Sequence, residues 1–375
     1  MGQESNVNNE TDQIEERKTE HIRVCLEEDV GAKNITTGFE DVHLIHRALP
    51  EINRDDINLS TEVFGHKFSA PVIVTGITGG TKQASKINAA IAQAVEELGL
   101  GMGVGSQRAA LQNPELECTY SVVRKMAPTA FLVANIGAPQ IVREYSLEQV
   151  RRAVDMIEAD ALAIHLNPLQ EAVQPEGETG YAGILRRISE LTDGLDVPVI
   201  VKETGAGISA EDAKRLEAAG VAGIDVAGAG GTSWAAVEYF RAKQRSDGFG
   251  QELGKHLWDW GIPTVVTLVE VVQSVSIPVI ASGGIRSGSD VAKALALGAK
   301  LGGLALPLLS PALQSSGEVK KALSSLIREL KTVMFLVGAR STERLNSVPV
   351  VVTGKTAEWL RSRGFSLDRY AQRGG

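Results

Sequence analysis

A chain of 375 residues, 43% hydrophobic and 22% charged, has ordinary globular composition and enough length to bury a large core. The net charge of −8 and pI near 5.5 argue against general nucleic-acid binding, which needs a basic stripe to neutralise phosphates. Two cysteines, Cys25 and Cys118, stand far apart without metal-type spacing, so they suggest neither a disulfide framework nor a cysteine zinc site, but reduced thiols in a cytoplasmic protein.

The chain starts with a stretch rich in Asn, Gln, Glu and Ser that has no secretory pattern, and residues 1–16 are expected to be a disordered tail. Residues 17–70 follow as an N-terminal extension expected to cover the domain behind it. Within it, Arg17, Lys18 and His21 fall at helical spacing, with His21 near both cations. Such a cluster can clamp a diphosphate, although a charged helix face taken alone is usually just solvated. No apolar run approaches the roughly 18 residues that cross a bilayer, so no membrane association is expected.

From Pro71 onward, short β-branched runs alternate with amphipathic segments, as expected for parallel strands buried on both faces and covered by helices. The strands are read at Pro71–Thr75, Leu100–Val104, Phe131–Asn135, Ala161–Leu166, Pro198–Lys202, Gly223–Ala227, Pro278–Ser282 and Leu301–Leu306. Helices are read at Ser85–Leu98, Leu147–Ile157, Ala210–Ala219, Thr264–Ser274 and Asp290–Leu297. This pattern predicts an α/β fold, a (β/α)8 TIM barrel over 71–352, with 353–375 as a peripheral C-terminal segment. The alternative is a doubly wound open sheet, whose crevice would use only the strand ends near a switch point. The barrel is preferred because nearly every strand ends in a polar or glycine-rich string, and in a barrel all those ends meet on one face.

The strings carry the chemistry in chain order. Thr75-Gly76-Ile77-Thr78-Gly79-Gly80 would let backbone approach a flat cofactor, and equally describes a tight turn. Ser106 and Asn135 could hydrogen-bond ring heteroatoms, or serve as cap and turn residues. Arg108 could reach a diphosphate from the second strand end. In His165-Leu166-Asn167-Pro168-Leu169-Gln170-Glu171, alternation aims His165 and Asn167 the same way, and the hard carboxylate of Glu171 suits Mg²⁺. A satisfied core imidazole and a solvated acid are the plainer readings of His165 and Glu171 taken singly. Lys202 is a buried-strand cation that needs an anionic partner or a ligand atom, with a core ion pair as the alternative. Trp234 to Gly261 is a long excursion after the sixth strand, either a lid or a packed surface insertion. Ser282-Gly283-Gly284-Ile285-Arg286-Ser287-Gly288, leading into a helix, places backbone amides and a helix N-terminus where a phosphate can bind.

Taken in order, Arg17-Lys18-Thr19-Glu20-His21-Ile22, Thr75 to Gly80, Gly105-Ser106-Gln107-Arg108, His165 to Glu171, Gly230-Gly231-Thr232-Ser233-Trp234 and Gly283 to Arg286 resemble the signatures of type 2 isopentenyl diphosphate isomerases. Ile77 departs from the Met often found there. The resemblance implies FMN contacts at Thr75, Gly76, Ile77, Thr78, Ser106, Asn135, Lys202, Thr232, Gly284, Ile285, Arg286, Ala305 and Leu306. It implies substrate contacts at Arg17, Lys18, His21, Ser106, Gln107, Arg108, Asn167 and Gln170, catalytic roles for His165 and Gln170, and Mg²⁺ at Glu171. It further implies reduced FMN as the active form, NAD(P)H as reductant, and a homo-oligomer, tetramer or octamer. Other barrels fit less well. Inosine monophosphate dehydrogenases need a cysteine in the loop that here reads Gly228 to Ser233, and hydroxyacid oxidases want a histidine where Ser282 stands. A binder that had lost its chemistry would be expected to lack the His165 to Glu171 string.

Overall fold

The computed structural model describes the backbone of residues 2–374 and the side chains of residues 15–374. Eight parallel strands close into a barrel: β1 Val72–Val74, β2 Gly101–Gly103, β3 Phe131–Gly137, β4 Ala161–His165, β5 Val199–Lys202, β6 Gly223–Asp225, β7 Val279–Ala281 and β8 Leu301–Leu304. Gly302, Gly303 and Leu304 of β8 stand opposite Val72, Ile73 and Val74 of β1, so the sheet has no edge and the open-sheet alternative falls away. Every residue of β1 and of β3 is buried, because one face of each strand fills the barrel and the other meets the helices.

A helix follows each strand. The expected helices appear at Lys82–Leu98, Leu147–Met156, Ala210–Ala218, Thr264–Val272 and Gly288–Leu297, joined by Cys118–Met126, Ile184–Gly194 and Ser316–Leu336, which the periodicity had not singled out. Their ends follow local chemistry. Thr81 accepts the amide of Ala84 to start the first of them, and Gly99, at φ 61°, stops it in the left-handed conformation that spares a side chain.

The extension covers both ends of the barrel. Helical backbone runs over Gly2–Glu27, so residues 2–16, expected as a tail, continue into the helix that carries Arg17, Lys18 and His21; Met1 lies outside the described residues. At the opposite end, a hairpin pairs Thr61–Val63 with His66–Phe68. Val63 and Phe68 join Ile73, Phe131, Val133, Ile200 and Ile280 in the cluster filling the barrel interior, and the Phe64 ring at the turn stacks on Phe131 with centroids 5.9 Å apart. The C-terminal segment lies outside the barrel but is tied down. Val350–Val352 pairs antiparallel with Val42–Leu44, and the buried Tyr370 donates its hydroxyl to the Leu297 carbonyl at 3.2 Å.

Candidate active site

A cavity of about 260 Å³ opens where the C-terminal ends of the strands converge, under the N-terminal helix. Arg17, Lys18, His21, Thr75, Gly76, Ile77, Thr78, Ser106, Arg108, Asn135, His165, Asn167, Gln170, Glu171, Lys202, Thr232, Gly284, Arg286, Ala305 and Leu306 all line it. Residues nearly 300 positions apart in the chain are thus brought to one rim, as the barrel reading requires.

Two expected contacts are not brought there. The Gln107 side chain is fully buried: its Nε2 donates to the Ala153 carbonyl at 2.7 Å and its Oε1 accepts from the Asn135 amide at 2.8 Å. Gln107 therefore ties β3 to a helix and offers its side chain to no ligand. Ile285 is likewise fully buried and packs in the core. The phosphate reading of the next helix also needs correction. Ser287 and Asp290 form a capping box over the N-terminus of Gly288–Leu297, and Glu329 accepts the amides of Gly288 and Ser289, so carboxylates already hold the amides an anion would use. Among the described residues the amides of Gly283, Gly284 and Ala305 carry no hydrogen bond, and these three residues line the cavity. Smallness in these strings also serves packing. A Cβ on Gly79 would lie 2.0 Å from the Tyr120 ring, and one on Gly284, whose φ is 74°, would meet the Thr37 methyl at 2.3 Å.

Charge is unevenly compensated around the cavity. Among the described residues Arg17, Lys18, Lys202 and Arg286 form no ion pair with a carboxylate. Burial, reinforced by Arg17, pushes the Lys18 ammonium down to about 7. It donates to the Ser106 carbonyl at 2.7 Å and to the Tyr120 hydroxyl at 2.6 Å, which itself donates to the Ser106 carbonyl at 2.6 Å. Burial also lowers Arg17, with Arg108 adding to the effect, and lowers Arg286 against the pull of Asp290. Arg108 does have partners, Glu144 at 2.9 Å and Glu178 at 2.7 Å, yet its buried Nε has no hydrogen-bond partner. Cations without carboxylate partners and a buried orphaned donor around one cavity call for anionic ligand groups.

His165 is the opposite case. Burial, helped by Lys202 and Lys18, pushes its imidazole down to about 3, so the ring is neutral at ordinary pH. Asn135 Nδ2 donates to the Val104 carbonyl at 2.9 Å, which turns Oδ1 toward His165 Nδ1 at 2.8 Å; Nδ1 therefore carries the proton and Nε2 is the acceptor. Beyond β4, Asn167 Nδ2 donates to Gln170 Oε1 at 3.2 Å and to Glu171 Oε1 at 2.8 Å, while the Glu178 amide donates to Glu171 Oε2 at 2.6 Å. Among the described residues no group of three His, Cys, Asp or Glu side chains could hold a metal, so a cation at Glu171 would draw its other ligands from water and substrate oxygens.

The excursion is not a bare loop. It forms helices Trp234–Gln244 and Gly248–His256, and the first grips the N-terminal helix. His21 Nε2 meets the buried Glu238 carboxylate at 2.9 Å, and the His21 ring packs edge-on to Trp234 at 5.1 Å. Burial lowers His21, with Glu238 opposing; in Glu238 burial is outweighed by His21 and Arg241, so its carboxyl sits below the usual range. Arg241 binds Glu20 at 2.9 Å, Glu176 at 2.6 Å and Glu238 at 2.5 Å. Sequence reading missed Tyr120, Gln140, Gln174, Glu238 and Arg241. Only the aromatic and charged richness of the excursion hinted at the last two.

Fold and cavity together define a barrel of the FMN-dependent flavoprotein class, and a profile of the FMN-dependent dehydrogenase family matches residues 11–115 and 184–351. The solved structure of mandelate oxidase with (S)-2-phenylpropionate superposes with a TM-score of 0.62 at 21% identity, covering 88% of this chain and 94% of that one, a likeness of fold. The isopentenyl-diphosphate delta-isomerase of Methanothermobacter thermautotrophicus is 52% identical over 360 residues, 96% of this chain and 99% of that protein. That of Pyrococcus furiosus is 52% identical over 355 residues, 92% of this chain and 89% of that protein. The chain belongs to the isopentenyl-diphosphate delta-isomerase family, on an FMN-dependent barrel.

Proposed function

We propose that this cavity interconverts isopentenyl and dimethylallyl diphosphate, a proton being added at one carbon of the five-carbon chain and another removed elsewhere, with no net oxidation. The observation that carries this reading is the set of cations without carboxylate partners around one rim, Arg17, Lys18 and Lys202 partly buried and Arg286 exposed, together with the unpartnered Arg108 Nε. Two phosphate-bearing ligands, a flavin mononucleotide and a prenyl diphosphate, would compensate that charge.

FMN fits the residues present: Arg286 and the open amides of Gly283, Gly284 and Ala305 suit its phosphate, and Thr75 to Thr78, Ser106, Asn135, Lys202, Thr232 and Leu306 suit its ring system. Reduced FMN would supply the acid and base that an unactivated alkene requires and that no side-chain pair here provides. Arg17, Lys18 and Arg108 hold the diphosphate, with His21 and Ser106 beside them. Asn167 orients Gln170 toward the hydrocarbon, and Gln174 Oε1 accepts from Gln170 Nε2 at 3.4 Å. His165, being neutral, acts as a hydrogen-bonding group and not as a cation. Glu171 retains lone pairs beyond its two hydrogen bonds for Mg²⁺ that also binds substrate phosphate. The N-terminal helix and Trp234 shield a cation-like state from water. NAD(P)H as reductant, a tetrameric or octameric assembly and a cytoplasmic location complete the reading; among the described residues no helix is long and apolar enough to cross a membrane.

The test is anaerobic incubation of the full chain with isopentenyl diphosphate, FMN and Mg²⁺, with the flavin either reduced or left oxidised. Dimethylallyl diphosphate should form only with reduced flavin. Equal rates in both, or no product in either, would overturn the proposal.

A further inference from the structure

Below the main cavity, among the inward-facing residues of the barrel strands, lies a second, smaller space of about 30 Å³. Thr75, Gly76, Asn135 and Lys202 line both, so the small space is the floor of the large one. Its walls are otherwise apolar, with one exception. Asp225, at the end of β6, is only 3% exposed and faces this floor, opposite Lys202 in the β5–β6 register. It does not line the upper cavity, so it touches no substrate, and no step of the proposed reaction uses it.

A carboxylate in such a place is expensive unless something compensates it. Ser282 Oγ donates to Asp225 Oδ1 at 2.5 Å, and the Ala227 amide also favours the ionised form. Burial raises the group and Lys202 is the one cation that pulls it back. The two charges do not form a direct ion pair. Lys202 Nζ donates instead to the Glu203 carbonyl at 2.5 Å, and the floor between them has room for a bridging water, with Thr75 and Asn135 as further polar neighbours. Lys202 thus has one face toward the upper cavity and an opposing charge beneath it.

We propose that Asp225 is the internal counter-charge of Lys202 and sets how much positive potential Lys202 presents to the flavin ring. It is a positioning and tuning residue, and the inference rests on the reading that Lys202 faces bound FMN. A negative charge under that lysine disfavours the extra electron density of reduced flavin relative to oxidised flavin. Removing it should therefore make the bound flavin easier to reduce.

The test reads the midpoint potential of FMN bound to the full chain, by dye-coupled anaerobic reduction, in the wild type, Asp225→Asn, Lys202→Met and the double variant. Asp225→Asn should raise the preference for reduced over oxidised FMN by about tenfold, a positive shift of about 30 mV for a two-electron couple. Lys202→Met should shift it the other way, and in that background Asp225→Asn should lose most of its effect. An unchanged or lowered potential in Asp225→Asn, with Lys202→Met still shifted, overturns the proposal alone. No shift in either variant overturns the placement of Lys202 against the flavin. Should Asp225→Asn fail to fold or to bind FMN, Ser282→Ala, which removes the hydroxyl that stabilises the carboxylate, should give a smaller shift of the same sign; no shift there overturns the proposal as well.

Discussion

Lys18 shows how a single side chain can be held ready for an anion. Partly buried beside Arg17 and fixed by Ser106 and Tyr120, its ammonium is pushed down to about 7, so a bound diphosphate would draw the proton back. Diphosphate affinity should therefore fall as pH rises through about 7 in the wild type, and Lys18→Met should lose that part of the dependence. Equilibrium binding of a prenyl diphosphate across pH checks this by comparing the two profiles. The same shift bears on stability: the folded-state pKa lies below the unfolded value, so the unfolded chain holds the proton longer and stability contributed by this group rises with pH above about 7. Tyr120→Phe removes the hydroxyl that steadies Lys18 and should raise KM several-fold with little change in kcat, since a net hydrogen bond is worth about 1 kcal/mol. At this scale most of the site was legible, because strand-end polar residues in a barrel have only one place to go. Gln107 and Ile285 were not, because a loop after a strand can turn a side chain back into the core, and Gln107 had a helix carbonyl to satisfy. Tyr120 and Glu238 stayed hidden because their partners Lys18 and His21 lie 102 and 217 residues away.

Among the elements, the N-terminal helix depends on the excursion. Its polar sequence has little apolar face of its own, and a helix of that kind is stable mainly when something packs on it. Arg241, fully buried among Glu20, Glu176 and Glu238, supplies that grip. Arg241→Met leaves buried carboxylates without their cation and should cost about 3–5 kcal/mol of unfolding free energy in denaturant titrations, with Glu238→Gln in the same chain recovering part of it. Protease cleavage within the N-terminal helix should accelerate in parallel. The strands were readable because burial on both faces leaves a continuous apolar run. The helix at Cys118–Met126 was not, since only Thr119, Tyr120 and Val123 of it are buried, too few to mark a period. The cap over Gly288–Leu297 was half readable: Ser287 and Asp290 stand at capping-box spacing, but Glu329 arrives from a helix some forty residues on.

For the whole molecule, the barrel needs a stopper at the end away from the site. Phe68 is fully buried in the interior cluster, and Phe68→Ala should cost about 3–5 kcal/mol, read as a fall in Tm, without moving the rim residues. That the extension covers the barrel was expected from its position; that it closes both ends could not be seen in a hairpin of two three-residue strands. The grip on the N-terminal helix has a consequence in time. Glu20 and Arg241 are 221 positions apart, so the N-terminal helix waits until that much further chain has been made before its partner exists. The helix that roofs the cavity is therefore secured late, and in a nascent or truncated chain that stops before Arg241 its Glu20 lacks this buried cation.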